Sequence, residues 1–339
     1  MDKKKELEIK TSKAFEECRK KAVIDIIECY YPSCHEKSIN SHLLQKNGIL
    51  SSITENGHLY QQFVNQFKKP PIYFELKGIS KVFSFNCFCN NHDTELFKEI
   101  ETASIDFNNY RHQLLLTLRT LLNEKYKKQI VLKQHEYLKR DYPALIDISK
   151  MNDWDEQEKI GLQDISKLES IVWQDLETDS KSFVYNVREL DLKQVCLSAY
   201  FTYETSQEIE EYYIEKGVHM EEINDIFISL FPYNDKSYLI MSYLKKNEKS
   251  VKGYINSFFK ESIKRTERKI TNILLFQCET WVCSESFFNK RIKPVEKLFY
   301  SADRFSLRFN KNERRNFDLN IFQDSFSTKL KAWYNQYVG

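Results

Sequence analysis

Cys29-Tyr-Tyr-Pro-Ser-Cys34 and, further along, Phe88-Cys89-Asn-Asn-His92-Asp93 are the two runs whose reading decides the fold of this chain. The sequence holds eight cysteines and seven histidines, and four of each fall between positions 29 and 92. Zinc takes four N/S ligands in a tetrahedron, usually as two close pairs that a folded hairpin brings together. In the first run Pro32 and Ser33 favour a turn that aims both sulfurs at one point. In the second, the C-x2-H spacing joins a thiolate and an imidazole at the start of a helix. The spacing predicts a structural zinc on Cys29, Cys34, Cys89 and His92. Cys87 competes with Cys89, because the two alternate along the strand-like run Val82 to Phe88. The plainer reading is that these cysteines are small buried hydrophobes of an ordinary core.

Taken with Ser41-His42-Leu43-Leu44-Gln45-Lys46, Gly57-His58 and Asp93-x2-Leu96-Phe97, the two runs resemble the zinc-containing HNH-like, treble-clef proteins found in bacterial genomes. The resemblance covers about residues 25–100. It implies a ββα-metal module that hydrolyses nucleic-acid phosphodiester bonds and, for proteins of this kind, a link to restriction or antiviral defence. It places the general base at His42, which would close the first hairpin strand. It places a ligand for magnesium or manganese at Asp93, where the family usually has histidine. His58 is a third candidate, as a metal ligand or a residue that orients the phosphate. The residue types suit that chemistry, since phosphodiester hydrolysis needs a base near the attacking water and a hard cation on the scissile phosphate. A neutral imidazole supplies the first and a carboxylate holds the second.

Outward from this stretch, the fold class is α+β. The expected layout is an N-terminal zinc-stapled, HNH-like module over residues 1–100, a helical region over 101–180 and an α+β domain over 181–339. Residues 5–28 are helix formers that feed the first knuckle. Asn47-Gly48 and Asn56-Gly57 mark tight turns, and residues 71–88 look like strands of the same module. Leu114, Leu115, Leu118, Leu121 and Leu122 form a core-facing helical stripe. A basic tail follows, Lys125 to Arg140, before Asp141-Tyr142-Pro143 breaks the helix. An acidic helix over 152–179 should pack against the leucine stripe. Strands are expected over 183–187, 195–203, 226–231 and 238–244, the last two as a hairpin, then a helix over 250–280 and a short one over 291–300. Residues 304–338 are aromatic and basic without an assigning pattern. Cys278 and Cys283 have no second pair nearby and read as core residues.

With 41% hydrophobic and 14% aromatic residues, the chain can bury a sizeable core. A net charge of +2 does not announce a nucleic-acid binder, but the distribution is uneven. Residues 245–270 carry nine Lys/Arg against three Glu, and residues 151–180 carry nine Asp/Glu against two Lys. DNA or RNA is the expected partner of a nuclease. The competing reading is a non-catalytic, zinc-stapled interaction protein that binds a protein partner or nucleic acid. No apolar run reaches the length of a membrane span, so the protein is expected in the cytoplasm, with reduced thiols.

Overall fold

The structure, a computed structural model, describes residues 3–102, 104–202, 224–276, 278, 281–299, 301 and 319–337. Tyr203, Glu279, Thr280, Tyr300 and much of the stretch after Arg304 lie outside the described residues. The chain divides into two compact units, Met1–Leu43 with Phe83–Ser180, and Leu44–Val82 with Lys181–Gly339.

Helix α1 (Lys3–Asp25) opens the chain and packs on a later helix through the small residues Ala14, Cys18 and Ala22. Strand β1 (Asn40–His42) follows the first knuckle. The chain then leaves for the second unit, where β2 (His58–Val64) and β3 (Ile72–Gly78) form an antiparallel hairpin. It returns with β4 (Ser84–Asn86), which pairs antiparallel with β1, Ser41 lying opposite Phe85. Helix α2 (Asn90–Phe97) starts at the second ligand pair.

Two long helices complete the first unit, α3 (Tyr110–Asp141) and α4 (Ile148–Thr178). Each is capped: the Asn109 side chain accepts the amides of Arg111 and His112, and Asp147 accepts that of Lys150. Pro143 has no amide to continue α3, so the helix stops at Asp141. The five leucines of the stripe are each at most 1% exposed. At about 1.5–3 kcal/mol per buried Leu, they contribute roughly 10 kcal/mol before chain entropy is counted.

The basic tail of α3 meets the acidic helix rather than a groove. Lys125 pairs with Glu169 at 2.6 Å, Lys128 with Glu158 at 2.9 Å and Lys139 with Asp155 at 2.6 Å. Lys127 and Lys133 pair within their own helix. The run Lys125 to Arg140 is thus largely paired with carboxylates. A charge run along a long helix is a poor guide when a second helix of opposite sign folds back on it.

The second unit adds β5 (Phe183–Asp191), β6 (Val195–Thr202), β7 (Asp225–Tyr233), β8 (Lys236–Leu244) and β9 (Trp281–Cys283) to the hairpin. Together they form a seven-stranded antiparallel sheet of order β3-β2-β9-β6-β7-β8-β5. Asn234 and Asp235 both have positive φ, 47° and 62°, the two-residue turn that suits the twist of the β7–β8 hairpin. Helix α5 (Glu248–Phe259) and α6 (Ile263–Phe276) cover one face, and α7 (Phe326–Tyr337) adds Phe326, Leu330 and Trp333 to the same core. Where the sequence suggests one helix over 250–280, the chain breaks at Lys260–Ser262. Cys278 and Cys283 are buried in this core.

The unit boundaries depart from the expected layout. Residues 44–82 group with the C-terminal part, because β2 pairs with β9, Tyr60 opposite Cys283 and Gln61 opposite Val282. The helical turns Lys46–Leu50 and Ser51–Ile53 pack against β7. The physical reason is burial: Leu59, Ile72 and Phe74 need an apolar partner that the short β1–β4 pair does not offer.

Candidate metal centre

The first knuckle is a tight turn. The Cys34 amide donates to the Tyr31 carbonyl at 3.0 Å, with Pro32 and Ser33 at its corners and Ser33 at φ 61°. Proline presets the first corner and the positive φ at the second closes a type II-like turn. Backbone bonds then hold the knuckle against the second run, Tyr30 N to Cys87 O at 2.9 Å and Ile39 N to Phe88 O at 2.7 Å. The chain is thereby folded so that both ligand pairs meet.

The ligand atoms of Cys29, Cys34, Cys89 and His92 all lie within 4.8 Å of one another. His92 Nδ1 is 3.2 Å from Cys89 Sγ and 3.5 Å from Cys29 Sγ. A tetrahedral ion with Zn–S of about 2.3 Å and Zn–N of about 2.0–2.1 Å needs ligand atoms roughly 3.5–3.8 Å apart. The cluster can therefore hold a metal ion, and three thiolates with one imidazole are the donor set that suits zinc. Among the described residues, no other set of three or more His, Cys, Asp or Glu side chains comes together in this way. Cys87 is almost fully buried and is not among the four residues whose ligand atoms come together.

The surroundings orient the ligands. Tyr31 stacks flat on the His92 ring, centroids 3.8 Å apart and planes 7° apart, and Trp173 of α4 meets Tyr31 edge-on at 5.4 Å. The Cys89 amide donates to Cys29 Sγ at 3.2 Å. Burial lifts the Cys29 thiol to about 11, whereas the His92 amide holds the Cys89 thiol below its ordinary value. Burial pushes Cys87 well above the usual thiol range. Metal capture must then release protons, Cys29's being the harder to remove. Tyr31 and Trp173 escape sequence reasoning, since nothing in the spacing of an aromatic residue tells a ligand cover from a core ring.

The other candidates are distributed as follows. Ser41 Oγ donates to Asp93 Oδ1 at 2.7 Å, fixing the end of β1 to the first turn of α2. His42 is the next residue along the strand, so its side chain leaves from the opposite face of the pair. His58 belongs to the other unit, is exposed, and uses Nδ1 on the Asn56 carbonyl at 2.7 Å. His35 is exposed and outside the cluster. Arg119, 3% exposed, bonds Glu101 at 2.6 Å and lies over the Phe97 ring at 3.8 Å, tying the end of α2 to α3. The chain matches no protein-family model, no curated protein and no solved structure, so the geometry carries the functional argument.

Proposed function

We propose that Cys29, Cys34, Cys89 and His92 hold a structural zinc in a treble-clef, HNH-like module, and that the protein is a metal-dependent nuclease acting on DNA or RNA. The observation that carries the reading is the order of parts around the cluster: knuckle, antiparallel strand pair, then a helix whose first turn supplies the last ligand. A magnesium or manganese ion at Asp93 would polarise the scissile phosphate and stabilise the leaving oxygen. His42 would take the proton of the attacking water as the new P–O bond forms and the old one breaks.

A second reading, a zinc-stapled binding module without catalysis, is favoured by one observation. Ser41 already engages the Asp93 carboxylate, while the side chain of His42, next along the strand, leaves from the opposite face of the pair. The two readings separate in one experiment, zinc content by elemental analysis together with cleavage of DNA and RNA in Mg²⁺ or Mn²⁺. The expected result is one equivalent of zinc and cleavage that His42→Ala slows by about 10²–10⁴ with no change in melting. Cleavage at the wild-type rate by His42→Ala would remove the base assignment. Zinc without cleavage of any nucleic acid would favour the binding module.

A further inference from the structure

We propose that the solvent face of the β2–β3 hairpin is a stacking platform for single-stranded nucleic acid, a reading that takes its partner class from the nuclease proposal above. Phe63 and Tyr73 sit directly opposite each other on the two strands, with ring centroids 5.9 Å apart and planes 27° apart. Their neighbours along the strands, Gln62, Ile72 and Phe74, turn to the other side, where Ile72 and Phe74 join the core. The open face of a one-sided sheet is ordinarily polar. Here it carries two half-buried aromatic rings instead.

Each ring also holds an ammonium group. Lys68 Nζ lies 3.4 Å from the Tyr73 ring centroid and Lys77 Nζ lies 4.3 Å from that of Phe63. Proteins that hold single strands combine aromatic rings, on which bases stack, with cations that follow the phosphates. A base sliding onto either ring would displace its lysine toward the adjoining phosphate. Glu75 lies on the same face and bonds Lys68 at 3.2 Å and Lys77 at 3.6 Å. It is the one acidic residue between positions 65 and 81, against Lys68, Lys69, Lys77 and Lys81, so the segment stays positive.

Two alternatives fit less well. A cross-strand aromatic pair stabilises a sheet by itself, but that role needs no lysine over either ring. A peptide added as an eighth strand would need the open edge of β3, where the Phe74 amide is already bonded to Glu296 Oε1 at 3.0 Å. Duplex is disfavoured because its base faces are hidden in the stack.

The test is fluorescence anisotropy with a labelled oligothymidylate of about ten nucleotides, and a duplex of equal length, without added divalent cation. The expected result is preference for the single strand, a loss of about tenfold in affinity for Tyr73→Ala, and wild-type affinity for Tyr73→Phe. Should Tyr73→Ala fail to fold, the Lys68→Gln/Lys77→Gln pair replaces it, and a lower salt dependence of binding is expected. Unchanged affinity in a folded Tyr73→Ala, an unchanged salt slope in the lysine pair, equal binding of single strand and duplex, or no single-strand binding would each overturn the proposal. If cleavage still depends on His42 while Tyr73→Ala binds normally, only the platform falls. Tyr73-dependent binding without any cleavage removes the nuclease reading and leaves the platform standing.

Discussion

On the proposed zinc centre, Cys29→Ser is expected to lose the metal and unfold the knuckle, strand pair and α2 together. Structural zinc contributes on the order of 10 kcal/mol of apparent binding free energy, and that free energy is folding free energy. The knuckle has little else to replace it: β1 and β4 are three residues each. Cys29 also does two jobs, since its sulfur accepts the Cys89 amide besides facing His92. Serine keeps neither thiolate character nor length. Zinc content should fall from one equivalent to near zero, and the melting transition of the first unit should drop by well over ~10 °C. Cys87→Ala is the control, expected to keep zinc and cost about 1 kcal/mol. A Cys29→Ser protein with full zinc and an unchanged melt would show that these ligands are wrongly assigned.

The second large effect lies between α3 and α4. His135 and Asp155 are both buried, at 2% and 6% exposure, and their Nδ1 and Oδ1 are 2.6 Å apart. Lys139 Nζ donates to the other carboxylate oxygen, also at 2.6 Å. Burial alone would raise the Asp155 carboxyl, but Lys139 and His135 outweigh it and hold the group below the usual carboxylate range. Its folded-state value is therefore depressed, so its contribution is complete above the unfolded value near 4. The contribution is lost as pH falls through the folded value. Asp155→Asn leaves the buried His135 and the half-buried Lys139 without the carboxylate they bond and is expected to cost about 3 kcal/mol at pH 7, or ~6–12 °C in Tm. The gap between variant and wild type should close in acid, below about pH 4. A calorimetric gap that stays constant from neutral pH to pH 3 would show that the carboxylate charge is not the stabilising element.

Local chemistry was the legible part of this protein. A C-x4-C with Pro32 inside it and a C-x2-H before Asp93 carry their geometry in a few adjacent residues, and the four side chains meet as that spacing requires. The helix α3 and its break at Pro143 were readable for the same reason, as was the β7–β8 hairpin. What sequence hid is non-local. Nothing near Tyr60 announces that it will lie opposite Cys283, so β2 and β3 read as part of the metal module. Nor does the basic run of α3 disclose that Glu158 and Glu169 will fold against it. His42 is intermediate, visible as a candidate in the sequence but given its direction only by the strand register.

The detour of residues 44–82 sets a timetable for synthesis. On the ribosome, β2 and β3 appear about 220 residues before β9, the strand that β2 pairs with. At about 5–20 residues per second, that is a delay of ~10–45 s, during which one edge of the nascent hairpin has no partner. Such an edge invites pairing with other chains. The four candidate metal ligands, in contrast, are all made once His92 has emerged, so a metal they hold can close the knuckle before α3 and α4 are synthesised. The β2 edge, rather than the metal cluster, should then be where association between chains begins during synthesis.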